Sequence, residues 1–577
     1  MISHHERRGG AGHTPRGRTF SPEKGEVLRF VALGGLEEIG RNMMFFEYKN
    51  EIIIVDVGLQ FPEEETPGID FIIPNTTYLE ERKRNIRGII LTHAHYDHIG
   101  AVPYLLGRLG NPPIYTTRLT KEIVSRRQEE VPNAPRLNFI LVKGGDRVAL
   151  SPSFSAEFFD VVHNIPDTIG LILETPVGKL VHPGEYKLDR NDRDESRTLE
   201  TFRKIGRQKI LALFQDSTNA EQPGFSIQER VVQKNIEEIF KKAEGRIILG
   251  TFASLLDRLY EIIKIAERLD RVIAVSGFSM KTNLQIVQNL GYMKVRKGTF
   301  IPIEELGRHR DNKILVLCTG AQGEPNASLM RIANGEHRHV TVKPGDTVIF
   351  SSSIIPGNER SVQTLKDNLS RQGAIVYTSK AMDVHSSGHA PQEEIKQVIR
   401  TVKPRFYVPI HGYYFMRHKN AELAEVAGMK REQAIVVDNG DVVEFTKESA
   451  LVTGERVPVS YVMVDGLGVG DVGEVVLRDR RTLAQEGMVV IITSLSRETG
   501  RVLKNPDIIS RGFIYLKENI DLLNEIRRKI RGIIGRIPRS QPLDADYVKM
   551  LIRDQIGEFL YQKTKRRPMI LPVVIEI

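Results

Sequence analysis

The segment HAHYDH at residues 93–98 most strongly limits which structures and functions this chain can have. It places three imidazoles and one carboxylate within six residues, directly after the apolar stretch GIILT. Such a density of polar ligands is costly to bury without a cation. Imidazole nitrogens and carboxylate oxygens suit zinc, and also manganese where carboxylate and water fill the remaining places. The segment therefore predicts a strand ending in a turn that serves two adjacent metal positions. A polar loop with surface histidines is the alternative.

Three later residues complete a binuclear set. His163, Glu185 and His411 follow the apolar stretches AEFFDVV, GKLV and RFYVPI, which we predict to be strands. Side chains at the carboxyl ends of several strands can meet in one cleft. Singly, each is more often a satisfied polar residue, but together with the first segment they predict a shared centre. The predicted metal ligands are His93, His95, Asp97, His98, His163, Glu185 and His411.

The pattern of apolar residues changes twice along the chain, which at 577 residues exceeds one hydrophobic core. A strand-rich region gives way to alternating helices and strands, typical of a parallel α/β unit, and then returns. We therefore expect one domain interrupted by another. The expected segments are a flexible basic tail (1–25), the first domain in two parts (26–225 and 370–450), an inserted parallel α/β domain (226–369), a linker (451–474) and a small C-terminal α/β domain (475–577).

The composition indicates which binding partners and which cellular compartment suit this protein. The net charge of +9 and the pI near 9.3 fit a polyanionic partner such as nucleic acid. A single cysteine, Cys318, excludes an internal disulfide framework and suits the reducing cytoplasm. No apolar run approaches the roughly 18 residues needed to cross a bilayer, so we expect a cytoplasmic protein without a membrane partner.

Several motifs resemble one known family. HAHYDH, HNIPD, HPGEYK and PIHG resemble motifs of the metallo-β-lactamase fold, whereas FQDSTNAEQPGFS, VHSSGHAPQEE and PIHGYY resemble the three motifs of β-CASP nucleases. RIANGEHRH, FSSSIIPGNE, PDIISRGFIY and KTKRRPMILP are similar to the bacterial ribonuclease J family along nearly the whole chain after residue 25. The resemblance implies an α/β protein: a metallo-β-lactamase αββα sandwich interrupted by a β-CASP domain, plus a small C-terminal α/β domain.

The resemblance also implies roles for particular residues. Two divalent ions per subunit, zinc or manganese or both, would be held by the seven ligands, with Glu185 bridging them. Asp97, Asp216 and His389 are the expected catalytic residues, and His389 would protonate the leaving oxygen. The expected contacts with substrate phosphate are Phe252, Ala253, Ser254, His385, Ser386, Ser387, Gly388 and His389. On physical grounds alone, an ordinary helix cap is the favoured interpretation of residues 385–389, and only the resemblance reverses that preference.

Family members carry a structural calcium, which the resemblance assigns to Pro67, Ile69 and Asp465. Asp465 could equally be a turn residue in a Gly-rich linker. The chain departs from the family pattern at three places. Glu185 replaces the usual aspartate, FSM at 278–280 replaces an arginine-containing RSM, and LLDR at 255–258 replaces an Asn-Ile-His-Arg pattern.

The function expected from these features is metal-dependent hydrolysis of RNA in RNA maturation and decay, including rRNA processing and mRNA decay. The resemblance implies a 5′-to-3′ exonuclease acting on 5′-monophosphate RNA, with endonuclease activity. It also implies a homodimer or homotetramer and partners in an RNA-degradation complex. Two alternatives remain: a small-ester hydrolase of the same fold, and a non-catalytic RNA-binding paralogue.

Overall fold

The structure, a computed structural model, describes residues 26–62, 66–191, 195–324, 326–354, 357–497, 499, 501–514, 518–537 and 544–577. The predicted basic tail, residues 1–25, lies outside the described residues. Within them, no helix has both the length and the apolar character that a membrane span requires.

The first domain is built from two separate parts of the chain. The first part contains β1 (Leu28–Gly34), β2 (Met43–Tyr48), β3 (Glu51–Val55), β4 (Phe71–Ile73), α1 (Thr77–Glu81), β5 (Ile86–Ile90), α2 (Tyr96–Ile99), α3 (Val102–Leu105), β6 (Ile114–Thr116), α4 (Arg118–Glu129), β7 (Phe139–Leu141), β8 (Arg147–Ala149), β9 (Ser155–Asp160), β10 (Ile169–Thr175), β11 (Gly178–His182), α5 (Arg197–Ile205) and β12 (Ile210–Asp216).

The inserted domain alternates helices and strands. Its elements are α6 (Glu229–Lys242), β13 (Ile247–Thr251), α7 (Leu256–Arg268), β14 (Val272–Ser276), α8 (Phe278–Asn289), β15 (Ile314–Cys318), α9 (Ser328–Ala333), β16 (Thr347–Ser351), α10 (Glu359–Arg371) and β17 (Ile375–Thr378).

The chain then returns to the first domain and continues to its C-terminal domain. The second part contains α11 (Gln392–Val402), β18 (Phe406–Ile410), α12 (Tyr414–Val426), β19 (Asp441–Phe445) and β20 (Ala450–Arg456). The linker and C-terminal elements are β21 (Val462–Asp465), β22 (Gly468–Val469), α13 (Glu474–Glu486), β23 (Met488–Leu495), β24 (Asp507–Arg511), α14 (Ile520–Gly535), α15 (Ala545–Thr564) and β25 (Met569–Glu576).

The first domain is a sandwich of two sheets. One has the strand order β20-β19-β1-β2-β3-β5-β6-β7, and the other β18-β12-β11-β10-β9-β8. Phe214 lies between the sheets, with its ring centre 4.7 Å from that of Phe30 and 5.2 Å from that of Phe46. Helices α5, α11 and α12 cover the outer face of the second sheet. Strands such as β12 are therefore buried at every position, which explains their continuous apolar sequence.

The inserted domain has one parallel sheet of order β14-β15-β13-β16-β17. Strand β17 follows the domain boundary expected at residue 369, which would place it in the first domain. Its parallel pairing with β16 places it in the inserted sheet instead. The short apolar stretch AIVYTS gives no sign of its partner, because periodicity does not distinguish one sheet from another.

The C-terminal domain has the sheet β24-β23-β25, with α14 and α15 packed on one face. Strand β21 of the linker pairs with β4 of the first domain, so part of the predicted linker is itself a strand in a small sheet with the first domain. The sandwich, the insertion and the C-terminal α/β domain together confirm the predicted fold class.

We predict that Phe214→Ala lowers the free energy of unfolding by about 3–5 kcal/mol, because it leaves a cavity between the two sheets. Urea unfolding followed by circular dichroism measures the change. The control is Phe278→Ala, because the Phe278 side chain is 67% exposed and its loss should cost no more than about 0.5 kcal/mol. Equal effects of the two substitutions would contradict the assignment of Phe214 to the core.

Candidate metal centre

The predicted ligands meet at one edge of the sandwich. Glu185 follows β11, Asp216 ends β12 and His411 follows β18. These three strands are parallel neighbours, so their carboxyl ends lie side by side. The segment 93–98 follows β5 of the facing sheet and forms the start of α2. The strand order therefore brings together residues that are far apart in the sequence.

The first group of candidate ligands consists of three imidazoles. His93 Nε2 lies 3.0 Å from His95 Nδ1, and His163 Nε2 lies 3.3 Å from the same atom. The opposite nitrogen of His163 donates to the Gly388 carbonyl at 2.8 Å. That bond places the proton on Nδ1, so the lone pair of Nε2 faces the centre of the group.

The second group contains Asp97, His98 and His411. His98 Nε2 lies 3.5 Å from the Asp97 carboxylate, and His411 Nε2 lies 3.7 Å from it. His98 Nδ1 donates to Asp56 Oδ2 at 2.7 Å, which turns its other nitrogen toward the centre. His411 has the left-handed backbone φ of 50°, a strained conformation of the kind found at functional sites.

Glu185 joins the two groups. Its Oε2 lies 3.2 Å from His163 Nε2 and 3.4 Å from His93 Nε2. Its Oε1 lies 2.9 Å from His98 Nε2 and 2.6 Å from His411 Nδ1. Ligand atoms of His93, His95, His163 and Glu185 all lie within 4.8 Å of one another, as do those of Asp97, His98, Glu185 and His411. The arrangement fits two neighbouring cations that share one carboxylate.

The protonation of the imidazoles supports this fit. Burial and the neighbouring His93 lower the pKa of His95 to about 3, so that its ring is neutral and can bind a metal. Burial also lowers the pKa of His411, but Glu185 and Asp216 outweigh it and raise the pKa to about 10. The two carboxylates therefore favour positive charge at this position. A bound divalent ion would supply that charge in place of the proton on the imidazole.

Asp216 and His389 form a third group beside the second. His389 Nδ1 donates to Asp216 Oδ2 at 2.8 Å, and its Nε2 lies 3.9 Å from Glu185. The other Asp216 oxygen accepts from the Thr218 backbone at 2.9 Å. Although burial lowers it, Asp216 and Glu185 raise the pKa of His389 above its ordinary value. The hydrogen bond at Nδ1 thus fixes the orientation of the imidazole, and its Nε2 faces the ligand groups.

The predicted phosphate loop, residues 385–389, lies directly against the ligand groups. Gly388 packs so closely that a Cβ atom there would lie 2.5 Å from His163 Cε1, which explains the glycine. Ser387 Oγ accepts from Asn219 Nδ2 at 3.0 Å and from the His389 backbone at 3.3 Å. With both acceptor positions used, the hydroxyl hydrogen of Ser387 remains to be donated.

The other predicted phosphate contact, residues 252–254, follows β13. Phe252 and Ala253 line a cavity of about 240 Å³ at the carboxyl edge of the inserted sheet, together with Thr319 and Gln322. The Ala253 carbonyl accepts from Asn283 Nδ2 at 3.0 Å. Crevices at the carboxyl edge of a parallel sheet are common ligand sites, and the contact of residues 252–254 with phosphate stays a prediction.

The residues expected to hold calcium surround an arginine. Arg480 Nη1 donates to the carbonyl of Gly68 at 3.0 Å and to that of Pro67 at 3.4 Å, and Nη2 pairs with the Asp465 carboxylate. Ile69 lies in the same loop, with its backbone N–H bonded to Thr66. A guanidinium and a calcium ion cannot occupy this place together, because calcium requires oxygens at 2.3–2.6 Å. The calcium site stays a prediction.

Sequence reasoning missed the residues that orient the ligands. Asp56 accepts from His98 and from the Thr92 backbone, and Asn42 Nδ2 lies 3.2 Å from His98 Nε2. Asp56 interrupts the apolar run IIIVDVG, which is the only sign of its role in the sequence. Its left-handed φ of 61° is visible only in the structure.

Comparison with known proteins gives four family matches. Residues 37–186 match the metallo-beta-lactamase superfamily, and residues 380–433 match the RNA specificity domain of Zn-dependent metallo-hydrolases. Residues 244–369 match the ribonuclease J beta-CASP domain, and residues 475–577 match the ribonuclease J C-terminal domain.

Whole-chain relatives agree with these matches. Ribonuclease J 1 of Streptococcus pyogenes serotype M3 is 39% identical over 94% of this chain and 97% of its own length. Ribonuclease J2 of Bacillus subtilis is 35% identical over 96% of this chain and 99% of its own length. A crystal structure of a protein of unknown function from Enterococcus faecalis V583 has a TM-score of 0.52 at 16% identity, covering 73% of this chain and 100% of that one. That structure supports the fold alone.

We predict that Glu185→Ala lowers the affinity for divalent ions about 100-fold or more, because it removes the carboxylate shared by both groups. This loss exceeds the roughly 10–100-fold effect expected when a residue that only orients a ligand is changed. Glu185→Asp should retain the ions, since aspartate is the usual residue of the related motif. Metal analysis after dialysis measures the content, with the exposed Glu336→Ala as control. Full metal content in Glu185→Ala would show that Glu185 is not a ligand.

We predict that Arg480→Met lowers the free energy of unfolding by about 1 kcal/mol, a modest value because both partners of the ion pair are half-exposed. The substitution also leaves the oxygens of Pro67, Gly68 and Asp465 free to accept a calcium ion. Millimolar calcium should therefore raise the melting temperature of the variant more than that of the unchanged protein. An equal calcium response in both proteins would show that Arg480 and calcium do not compete.

Proposed function

Since this chain belongs to the ribonuclease J family and is a metal-dependent ribonuclease, we propose that it degrades RNA from a 5′-monophosphate end in the 5′-to-3′ direction and also cuts RNA internally. The observation that carries the proposal is the position of the phosphate loop. Its last residue, His389, is bonded to Asp216 and lies 3.9 Å from Glu185, so the loop holds substrate beside the ligand groups.

The two ligand groups would hold two divalent ions, and we propose zinc or manganese for these positions. When bound, such ions activate water at neutral pH and absorb charge on the oxygens of the reacting phosphate. The imidazole-rich group, with His93, His95 and His163, suits zinc. The group with two carboxylates, Asp97 and Glu185, also suits manganese.

His389 is the proposed proton donor to the leaving oxygen. Its Nδ1 is bonded to Asp216, so an imidazolium here would present Nε2–H to the cleft. The raised pKa of His389 supports a proton on the ring near neutral pH. Asp216 orients the ring and stabilises its charge, as a carboxylate commonly does for a catalytic histidine.

Ser387 and the backbone around Gly388 are the proposed contacts with the 5′ phosphate. The Ser387 hydroxyl accepts twice from the protein and has its hydrogen left to donate. Helix α11 begins at Gln392, so the positive end of its dipole faces the loop. We propose that these contacts hold a monophosphate end and crowd against a longer, more highly charged triphosphate. Each cut would regenerate a 5′-monophosphate, which can enter the same pocket.

The alternatives from the sequence analysis are less well supported. A small-ester hydrolase does not need the inserted domain, whose match to the ribonuclease J beta-CASP domain instead favours RNA. A non-catalytic paralogue would be expected to lose ligands, yet all seven predicted ligands fall into the two groups around Glu185.

We further propose a homodimer or homotetramer that acts in the cytoplasm with other RNA-degradation proteins. The outer face of the C-terminal sheet supports self-association, because Leu571, Val573 and Ile575 of β25 are each at least 40% exposed. Exposed apolar patches of this kind often mark protein interfaces. Roles in rRNA processing and mRNA decay remain part of the proposal.

We predict that Ser387→Ala slows digestion of 5′-monophosphate RNA by roughly ten- to a hundredfold, because it removes one charge-assisted hydrogen bond of about 1.5–3 kcal/mol. His389→Ala should be more severe, because it also removes the proton donor. Matched RNAs with 5′-monophosphate, 5′-hydroxyl and 5′-triphosphate ends, followed by product sizing, measure both effects. Equal rates on all three RNAs, or mononucleotides released first from the 3′ end, would refute the proposed direction.

A further inference from the structure

Two buried cations and one partly buried carboxylate lie next to the phosphate loop. Lys187 belongs to the first domain, whereas Glu229 begins α6 and Arg258 lies in the first turn of α7, both in the inserted domain. The side chains of Lys187 and Arg258 are 1% and 2% exposed, and that of Glu229 is 22% exposed. We refer to these three residues as the triad.

Glu229 pairs with both cations of the triad. Its Oε1 accepts from Lys187 Nζ at 2.8 Å and from Arg258 Nη2 at 2.7 Å, and its Oε2 accepts from Arg258 Nε at 3.2 Å. Burial raises the pKa of Glu229, but Arg258 and Lys187 outweigh this effect and hold it at about 2. The carboxylate therefore stays ionised and keeps both cations in place.

Arg258 and Lys187 also donate hydrogen bonds to the phosphate loop. Arg258 Nη1 donates to His385 Nδ1 at 2.6 Å, and its Nη2 donates to the Ser386 carbonyl at 2.8 Å. Lys187 Nζ donates to Ser386 Oγ at 3.1 Å, and that hydroxyl donates to the Ile227 carbonyl at 2.6 Å. Both His385 and Ser386 are thus bonded to the protein interior.

The contact with Arg258 determines the tautomer of His385. A guanidinium has donors but no acceptor, so His385 Nδ1 must accept and the ring proton must lie on Nε2. The imidazole is 7% exposed, and burial with the adjacent Arg258 charge lowers its pKa to about 3. His385 is therefore a neutral ring with a fixed orientation.

We propose that Lys187, Glu229 and Arg258 position the phosphate loop, and that this loop has two layers. His385 and Ser386 form the lower layer, which is held by the triad, whereas Ser387, Gly388 and His389 form the upper layer, which contacts substrate. The inference deepens the proposed function and rests on it for the identity of the substrate. The three residues of the triad act as positioning residues.

The energetics favour positioning over simple stabilisation. A buried ion pair gains little net stability, because desolvation of the charges offsets their attraction. It does impose a definite geometry, since each hydrogen bond has a direction. Here the bonds join two domains at the point where the loop passes between them, so they set the distance between Ser387 and the ligand groups.

The first experiment compares kcat and KM for Arg258→Met, Arg258→Lys and Arg268→Met. Arg268 is the matched control, because it lies on the same helix and pairs with Glu237 of α6 at 2.8 Å on the surface. The substrates are a 5′-monophosphate RNA and the same RNA with a 5′-hydroxyl end, which reports internal cleavage.

Arg258→Met should raise KM for the 5′-monophosphate RNA by roughly ten- to a hundredfold. Internal cleavage of the 5′-hydroxyl RNA should change no more than about twofold, because His389 keeps its separate bond to Asp216. Arg258→Lys should recover part of the loss, because it restores the charge without the paired donors. Arg268→Met should behave like the unchanged protein. An equal loss on both RNAs, or no loss on either, would overturn the proposal.

The second experiment reads out the triad in the unchanged protein and does not depend on activity. Nitrogen NMR of ¹⁵N-histidine-labelled protein, with the His385 signal assigned through His385→Gln, reports the tautomer. We expect a neutral ring with the proton on Nε2. A proton on Nδ1, or a charged ring at neutral pH, would overturn the proposed contact. If the enzyme shows no preference for a 5′-monophosphate, the proposed function fails, and the tautomer alone then decides the role of Arg258.

Discussion

A carboxylate buried among imidazoles is the interaction on which the site depends. Glu185 is 2% exposed, and four histidine nitrogens lie within 3.4 Å of its two oxygens. Such a group is costly to desolvate, and so are the neutral rings whose lone pairs face one another. Cations between these atoms resolve both costs. The sandwich, the parallel order of β11, β12 and β18, and the left-handed backbone of His411 serve to bring these donors together.

Much of this centre could be predicted from the sequence, because its ligands carry local signals. The segment HAHYDH is unusual by itself, and His163, Glu185 and His411 follow apolar strands whose ends meet in an α/β or sandwich fold. The fold class was predictable for a related reason, since strands covered on both faces are apolar at nearly every position. The boundary of the inserted domain was harder to predict from the sequence. Strand β17 is short, and its sequence does not show which sheet it extends.

The residues that orient the centre carry no such signal. Glu229 looks like an ordinary first-turn acid of a helix, and Arg258 looks like a surface charge of an amphipathic one. Each becomes informative only when folding buries it beside a partner more than 25 residues away. Hydrogen-bond direction is a property of the folded state, so no periodicity or spacing could reveal the tautomers of His98, His163 or His385.

Glu185 departs from the family pattern and still contacts both ligand groups. Glutamate is one methylene longer than the aspartate usual in the related motif, yet each of its oxygens still reaches a different ligand group. The two groups share this carboxylate and no other, so a change in its reach would alter the spacing of any two cations that the groups hold. His389 lies within 3.9 Å of the same carboxylate, and the Gly388 carbonyl accepts a hydrogen bond from His163 Nδ1. The phosphate loop and the ligand groups are therefore in direct contact, and under the proposed function the position of the substrate phosphate would depend on the same carboxylate that would hold both metal ions.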